Sequence, residues 1–323
     1  MSHPATELAV RVTRKHTEAL DICSLDLMAA DGGTLPAFES GAHVDVHLPG
    51  GLVRQYSLCN PPGETARYQI AVLRDAASRG GSQAVHDAVH VGDLLRISAP
   101  KNHFPLSPGA PYRLLLAGGI GITPLLAMAE QLSAQGQPFE LHHCTRSRVR
   151  TPFMERVSAA VFANRVQHHF DDGEAAQKLD IAATLRTAPA GTHLYVCGPQ
   201  GFMDAVLAAG RAAGWAEERL HREYFAATPT DHADDGCFEL EIASTGRVIP
   251  VRADQSALAA LLEAGLNIPM SCEQGVCGTC LTRVIAGTPK HHDKYFTPEE
   301  QAANDQFLPC CSRAESPRLI LDL

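Results

Sequence analysis

Cys272-Glu273-Gln274-Gly275-Val276-Cys277-Gly278-Thr279-Cys280 is the stretch from which the rest of the chain is read. Three thiols fall at the spacing C-x4-C-x2-C, and Cys310 stands thirty positions beyond Cys280. This is the plant-type [2Fe–2S] arrangement, in which one loop wraps three thiolates around two irons and a later strand returns the fourth. Each iron shares two bridging sulfides and needs two more soft ligands to complete a tetrahedron, so four thiolates are required. Gly275 and Gly278 suit such a loop, because they tolerate positive φ and let backbone N–H groups approach the sulfurs. A structural zinc site is the competing reading, but zinc ligands usually come as two short knuckles, not as three cysteines in one loop with a remote fourth. Cys310 and Cys311 are adjacent, and neighbouring side chains in a strand point to opposite faces, so one of them serves and not both. The interval Cys280-x29-Cys310 favours Cys310.

A chain of 323 residues suggests two or three domains, and 45% apolar residues let each bury a core. The net charge of −9, without a basic run, gives nucleic-acid binding no electrostatic support. Met1 to Val10 lacks a basic segment followed by an apolar core. An iron–sulfur loop needs reduced thiols, so ten cysteines here point to a cytoplasmic setting and not to disulfides. The most apolar stretch, Leu114 to Ala129, is interrupted by Gly118, Gly119, Gly121 and Pro124 and is short for a membrane span, so no membrane partner is expected.

From Leu8 to Pro100 short alternating runs separated by turns predict an antiparallel barrel, with a first domain over 1–108. Val44 to Leu48, Tyr68 to Leu73 and Leu94 to Ile97 are examples. Arg54, Tyr56 and Ser57 share one such strand. Together they can offer a cation to a phosphate, a ring to an isoalloxazine and a hydroxyl to a flavin nitrogen. A half-exposed sheet face would explain them equally. Ser78-Arg79-Gly80-Gly81-Ser82 then opens a helical pattern from Gln83 to Val89, a nest of N–H donors suited to an anion. An ordinary glycine turn with a serine cap is the plainer alternative.

Beyond Pro108 to Pro111 strands alternate with helices, which predicts βαβ units and a parallel, Rossmann-like sheet over 109–228. Gly118-Gly119-Ile120-Gly121-Ile122-Thr123-Pro124 lies between a strand and a helix, where a dinucleotide pyrophosphate binds. Thr123 reads as an N-cap and Pro124 as the first helical residue. Cys197-Gly198-Pro199 ends an apolar strand at the edge where ligands gather in open α/β sheets. Cys197 is either a buried strand thiol or a neighbour of a nicotinamide ring. Arg146 or Ser147 would meet the adenosine ribose or phosphate. Arg146 permits NADPH, whereas Asp171 and Asp172 would repel a 2′-phosphate, so the two donors stay open.

Thr228 to Gly236 is polar and acidic and reads as a linker over 229–236. The module over 237–323 has a hairpin of Cys237–Ile242 and Arg247–Val251, a helix over Ser256–Ala264, the thiol loop, and a closing strand at Leu319–Leu323. That is a small α+β ferredoxin domain of the β-grasp kind. Cys23, Cys59 and Cys237 read as structural. The histidine pairs 142–143, 168–169 and 291–292 read as surface or strand residues, with no cysteine or carboxylate at ligand spacing.

Taken together, Arg54-x-Tyr56-Ser57, Gly119-x-Gly121-x-x-Pro124, Cys197-Gly198-Pro199 and the C-terminal thiol loop resemble the phthalate dioxygenase reductase family, over essentially the whole chain. The ending Cys310-Cys311-Ser312-Arg313-Ala314 resembles the family's Cys-Val-Ser-Arg-Ala, which supports Cys310 as the ligand. The resemblance implies a multidomain β + α/β + α+β protein in the order flavin, nicotinamide, ferredoxin. That order goes with FMN, and Ser78, where the family often has glycine, is not expected to alter this. It implies that Arg54, Tyr56 and Ser57 contact the flavin and that Gly81 and Ser82 hold its phosphate. Phe225 would lie near the flavin ring, although domain packing also explains it. The expected activity is electron transfer from NADH through FMN to the [2Fe–2S] cluster, and on to a Rieske non-haem iron oxygenase at a transient interface. No catalytic acid or base is required, and a monomer suffices. The alternatives are an electron-carrier or redox-sensing module with a vestigial nucleotide domain, and a free-standing flavin reductase whose cluster is structural.

Overall fold

The alternating runs of the first hundred residues become seven strands. They are β1 (Glu7–Ala19), β2 (Ile22–Ala29), β3 (Ala42–Leu48), β4 (Leu52–Ser57), β5 (Tyr68–Leu73), β6 (Leu94–Ser98) and β7 (Lys101–Asn102). The computed structural model describes residues 7–76, 78, 80–225, 236–270 and 272–323. The strands run in the order β4-β3-β6-β1-β2-β5, with β7 beside β3, and every pairing is antiparallel. Leu58, just past β4, bridges to Ile70 in β5. That bridge joins the two ends of the order and closes the sheet into a barrel. Period-two alternation aims Val10, Val12, Val44, Val46 and Ile97 inward, where each is fully buried. Burying each such side chain contributes about 1.5–3 kcal/mol relative to leaving it in water.

The helix α1 (Gly81–Asp87), about two turns between its caps, packs on this barrel. Its C-terminal end is held from β1, where Lys15 Nζ donates to the carbonyls of Val85 (2.9 Å), His86 (2.7 Å) and Val89 (2.8 Å). A cation on the last carbonyls satisfies groups the helix cannot satisfy itself and opposes its dipole.

The next strands are β8 (Arg113–Gly118), β9 (Phe139–Thr145), β10 (Val166–Phe170), β11 (His193–Cys197) and β12 (Leu220–Glu223), all parallel in the order β10-β9-β8-β11-β12. Both faces carry helices, namely α2 (Ile122–Ala134), α3 (Met154–Ala159), α4 (Ile181–Thr187) and α5 (Gln200–Ala212). Consequently β8 is buried at every position, Arg113 included, and is apolar from Leu114 onward. The order reverses at β8, so the switch point lies at the C-terminal ends of β8 and β11. Thr123 is not the N-cap that its sequence suggests. The turn Gly119–Gly121 is already a 3₁₀ helix that runs straight into α2, so Gly121 caps the helix and Pro124 falls third. The first turn uses no amide at that position, so the proline costs nothing there. Thr123 Oγ1 instead donates back to the carbonyl of Ile120 (3.1 Å).

The barrel and the parallel sheet form one unit, ending at Glu223, and Tyr224–Leu323 form a second. In the first, Arg156 ties the two parts by donating to Gln69 Oε1 (2.9 Å) and to Glu130 Oε1 (2.9 Å). The linker expected over 229–236 lies outside the described residues except for Gly236. The second unit has the sheet β14-β13-β19-β15-β17, from β13 (Phe238–Ile242), β14 (Arg247–Val251), β15 (Thr282–Ala286), β17 (Gln306–Phe307) and β19 (Arg318–Leu321). A ribbon of β16 (Pro289–Lys290) and β18 (Arg313–Ala314) stands apart. The helix α6 (Ala257–Glu263) is capped by Ser256, and α7 (Pro298–Ala303) by a reciprocal box of Thr297 and Glu300. No helix among the described residues is long and apolar enough to cross a membrane.

Replacing Lys15 by methionine leaves three carbonyls unsatisfied and should destabilise the first unit by about 2 kcal/mol, the cost of losing charged hydrogen bonds at a partly buried site. Urea unfolding followed by the circular dichroism of the full chain measures it.

Candidate cofactor sites

The thiol loop has no regular secondary structure, and its order comes from elsewhere. Cys272, Cys277 and Cys280 are buried, at 7, 6 and 3% exposure. The thiols meet in pairs. Hydrogen bonding to Cys277, together with burial, pushes Cys272 up, and the same bond draws Cys277 down to about 6. Likewise Cys280 is pushed up by Cys310 and by burial, and Cys310 is drawn down to about 4 by Cys280 and Cys311. Cys272 with Cys277 and Cys280 with Cys310 give the two thiolates on each metal that a two-iron cluster requires, and Cys311 stands beside Cys310 as a fifth thiol. Backbone amides already address the sulfurs: Gln274 N–H donates to Cys272 (3.3 Å), Thr279 N–H to Cys277 (3.4 Å), and Gly275 N–H to Cys310. Gly275 (φ 71°) and Gly278 (φ 69°) take the left-handed backbone such wrapping needs. A Cβ on Gly275 would collide with Cys311 Sγ, and one on Gly278 with the ring of Tyr295. The residues therefore fit a [2Fe–2S] cluster.

The strand expected to return the fourth thiol is a turn. Cys311 N–H and Ser312 N–H both donate to the Leu308 carbonyl, at 3.2 and 2.9 Å, between β17 and β18. A turn does not alternate its side chains as a strand does, and Cys310 and Cys311 hydrogen-bond to each other. The choice of Cys310 thus rests on its pairing with Cys280, and the two neighbours are not separated onto opposite faces.

In the barrel, Arg54, Tyr56 and Ser57 lie on β4 as expected. The Arg54 side chain lies across Gly81, so closely that a Cβ there would meet it, while Nη1 donates to the Val53 carbonyl (2.7 Å). The cation is thereby brought to the start of α1, beside Ser82, whose Oγ accepts from Asp75 N–H (3.1 Å). No side chain caps α1, and its N-cap is Gly80 at φ 88°. A cation beside uncapped first-turn amides suits a phosphate. Burial pushes the Tyr56 hydroxyl up, which keeps its ring neutral.

At the switch point the two glycine turns interlock. A Cβ on Gly121 would enter the backbone of Cys197 and Gly198, and one on Gly118 would meet Pro199 and Phe202. Gly118, Gly119, Gly121 and Cys197-Gly198-Pro199 are therefore one bare-backbone cradle, the shape a pyrophosphate and nicotinamide need. His143 supports it from below. Its Nε2–H donates to the Gly119 carbonyl (3.0 Å), and burial pushes it down to about 3, so the ring is neutral. The histidine pairs 142–143 and 168–169 do lie on strands, but His291 is close to Asp293, a carboxylate contact its spacing had not suggested. Arg146 and Ser147 follow the end of β9.

One acid was not singled out. Glu223 ends β12 opposite Cys197, and its Oε2 accepts from Ser57 Oγ (3.4 Å). The residue as a whole is half-buried, but its carboxyl end is enclosed, and burial pushes it up to about 8 against the bond from Ser57. Burial, with Glu223 adding to it, raises the Cys197 thiol as well. Ser57, Cys197 and Glu223 thus gather from three strands of the two parts of the first unit. Little in the sequence signals it, since Glu223 closes a short strand whose neighbours His221 and Arg222 are themselves polar. Phe225, two residues on, falls in the second unit and is 40% exposed.

A carboxyl whose folded-state value is raised takes up its proton more readily folded than unfolded. It therefore gives stability that is present below about 4.5 and lost as pH rises through about 8. Glu223→Gln removes that slope. Thermal unfolding at matched cofactor content should show the wild type losing ground to the variant between those pH values, and equal slopes would contradict the burial.

The family described as "2Fe-2S iron-sulfur cluster binding domain" matches residues 240–315, and that described as "Dimethylamine monooxygenase subunit DmmA-like, N-terminal domain" matches 98–220. A vanillate O-demethylase oxidoreductase of Pseudomonas sp. (strain HR199 / DSM 7063) is 56% identical over 316 residues, covering 98% of this chain and all of that one. The phthalate 4,5-dioxygenase oxygenase reductase subunit of Pseudomonas putida is 39% identical, over 97% of this chain and 96% of its own. The solved phthalate dioxygenase reductase, described as modular for electron transfer from pyridine nucleotides to [2Fe–2S], superposes with a TM-score of 0.78 at 37% identity over 98% of both chains. With its closed barrel, its nucleotide sheet and its paired thiols, the chain belongs to the phthalate dioxygenase reductase family of oxidoreductases, alongside the vanillate O-demethylase oxidoreductases.

Proposed function

We propose that this chain is the reductase component of a Rieske-type oxygenase or demethylase system, with FMN, a [2Fe–2S] cluster and NADH as its cofactors and NADPH as the alternative donor. The observation that carries the reading is the pairing of four thiols, Cys272 with Cys277 and Cys280 with Cys310, on a chain that also keeps an intact nucleotide cradle. A carrier with a vestigial nucleotide domain would have no reason to keep Gly118, Gly121 and Gly198 in backbone contact. When bound, the cofactors supply the conversion of a two-electron donor into single-electron delivery.

The residues divide the work. Arg54, Gly81 and Ser82 hold the flavin phosphate, and Tyr56 and Ser57 face the flavin ring, with Phe225 near it. Gly119, Gly121, Thr123 and Pro124 form the pyrophosphate turn, and Cys197, Gly198 and Pro199 bound the nicotinamide. Cys272, Cys277, Cys280 and Cys310 are the cluster ligands. The domains are a flavin barrel over 1–108, a nucleotide domain over 109–228, a linker over 229–236 and a ferredoxin domain over 237–323. The partner is a Rieske non-haem iron oxygenase, met transiently by a monomeric, cytoplasmic reductase. The partner's substrate does not touch this chain.

Two variants test the ligand set. Cys310→Ser should lose the cluster's visible bands while NADH still bleaches the flavin, so that one-electron transfer to an external acceptor through the cluster disappears. Cys311→Ser should keep the cluster and the transfer. The reverse pattern would assign the fourth ligand to Cys311, and a wild-type protein whose flavin NADH cannot bleach would return the chain to the carriers.

A further inference from the structure

Behind the thiol loop lies a second acid that the relay does not use. The side chain of Asp293 is 0% exposed, in the segment that joins β16 to α7. Four donors converge on it. His291 Nδ1 (3.2 Å) and Ser312 Oγ (3.3 Å) meet Oδ1, and the amides of Tyr295 (3.2 Å) and Phe296 (2.9 Å) meet Oδ2. The Ser312 hydroxyl and the two amides are uncharged donors, so none of them cancels the charge of a carboxylate. His291 donates through Nδ1, because the carboxylate can only accept, and its Nε2 is buried with no hydrogen-bond partner among the described residues.

The position of this charge is set by Gly275. A Cβ built there would come within 3.0 Å of Asp293 Cα and would collide with Cys311 Sγ. Lys294 N–H donates to the Gly275 carbonyl (2.9 Å), and Gly275 N–H donates to the sulfur of Cys310. Ser312, which donates to Asp293, is two residues from that ligand. The acid therefore backs the glycine that addresses the fourth thiolate, in an enclosed setting where charge is poorly screened.

We propose that the buried carboxylate of Asp293 tunes the [2Fe–2S] site, holding its reduction potential lower than the ligand loop alone would. The inference rests on the cluster reading above. Reduction of the cluster adds one electron and one negative charge, with no bond made or broken in the protein, and a nearby buried anion opposes it. Net charge and hydrogen bonds to the sulfurs are both recognised levers on such potentials. They act oppositely here. Losing the charge raises the potential, whereas loosening the Gly275 clamp weakens an N–H···S bond and lowers it.

Asp293→Asn in the full-length protein separates the two. Spectroelectrochemical titration of the cluster bands, beside iron and sulfide content, should give a full cluster whose midpoint is more positive than in the wild type. A full cluster with an unchanged or more negative midpoint overturns the inference and leaves Asp293 a turn staple. Should Asp293→Asn fail to load a cluster, Ser312→Ala decides. It keeps the charge and removes one donor, so the midpoint should fall, and a midpoint that stays or rises overturns the inference. A wild-type protein without cluster bands would overturn the cluster reading itself, a failure distinct from a full cluster with unmoved midpoints.

Discussion

Four thiols must sit within reach of two irons, three of them on a loop that no ladder of strand or helix hydrogen bonds holds. That constraint shapes most of the second unit. The loop turns through positive φ at Gly275 and Gly278 and gives the amides of Gln274, Gly275, Val276 and Thr279 to sulfur. What it lacks in regular structure is supplied by its neighbours. Tyr295 fills the space over Gly278, Lys294 grips the Gly275 carbonyl, and the turn at Leu308 brings Cys310 to Cys280. Behind this face the sheet and α6 pack Leu240, Val251, Leu261, Phe307 and Leu319 into an ordinary apolar core. The loop and the turns packed on it depart from regularity, because that is where the chemistry lies.

The first unit meets a different demand with the same device, the close approach of bare backbone. Gly118 and Gly121 press against Cys197, Gly198 and Pro199, so any side chain there would force the two strand ends apart. The barrel and the nucleotide sheet then share a small polar group, Ser57 from one and Glu223 from the other, beside the Cys197 thiol. A carboxyl raised to about 8 is largely protonated near neutrality, so it adds little net charge to the enclosed site.

Most of the architecture was legible in the residues. The alternation of Val44, Val46 and Leu48 gave a barrel strand, the apolar run within Arg113–Gly118 before a glycine turn gave a parallel strand, and C-x4-C-x2-C named the cluster loop. The errors share a cause, since local pattern does not reveal what backbone precedes it. Thr123-Pro124 looks like a helix start, but a 3₁₀ turn had already begun the helix. Cys310-Cys311 looks like strand, but two amides folded back on Leu308 make a turn. Glu223 and Asp293 escaped notice, and His143 was read only as a surface or strand residue, because their roles come from burial and include partners 166, 19 and 24 residues away, which spacing cannot show.

The central claim is that one chain carries electrons from a pyridine nucleotide to a [2Fe–2S] cluster. Anaerobic titration of the purified protein with NADH, followed in the visible spectrum and with the released flavin identified, tests it most directly. Bleaching of both the flavin and the cluster bands, with FMN released on denaturation, is the predicted result. Flavin bands that bleach while the cluster stays oxidised would contradict the account and leave a flavin reductase whose cluster is structural.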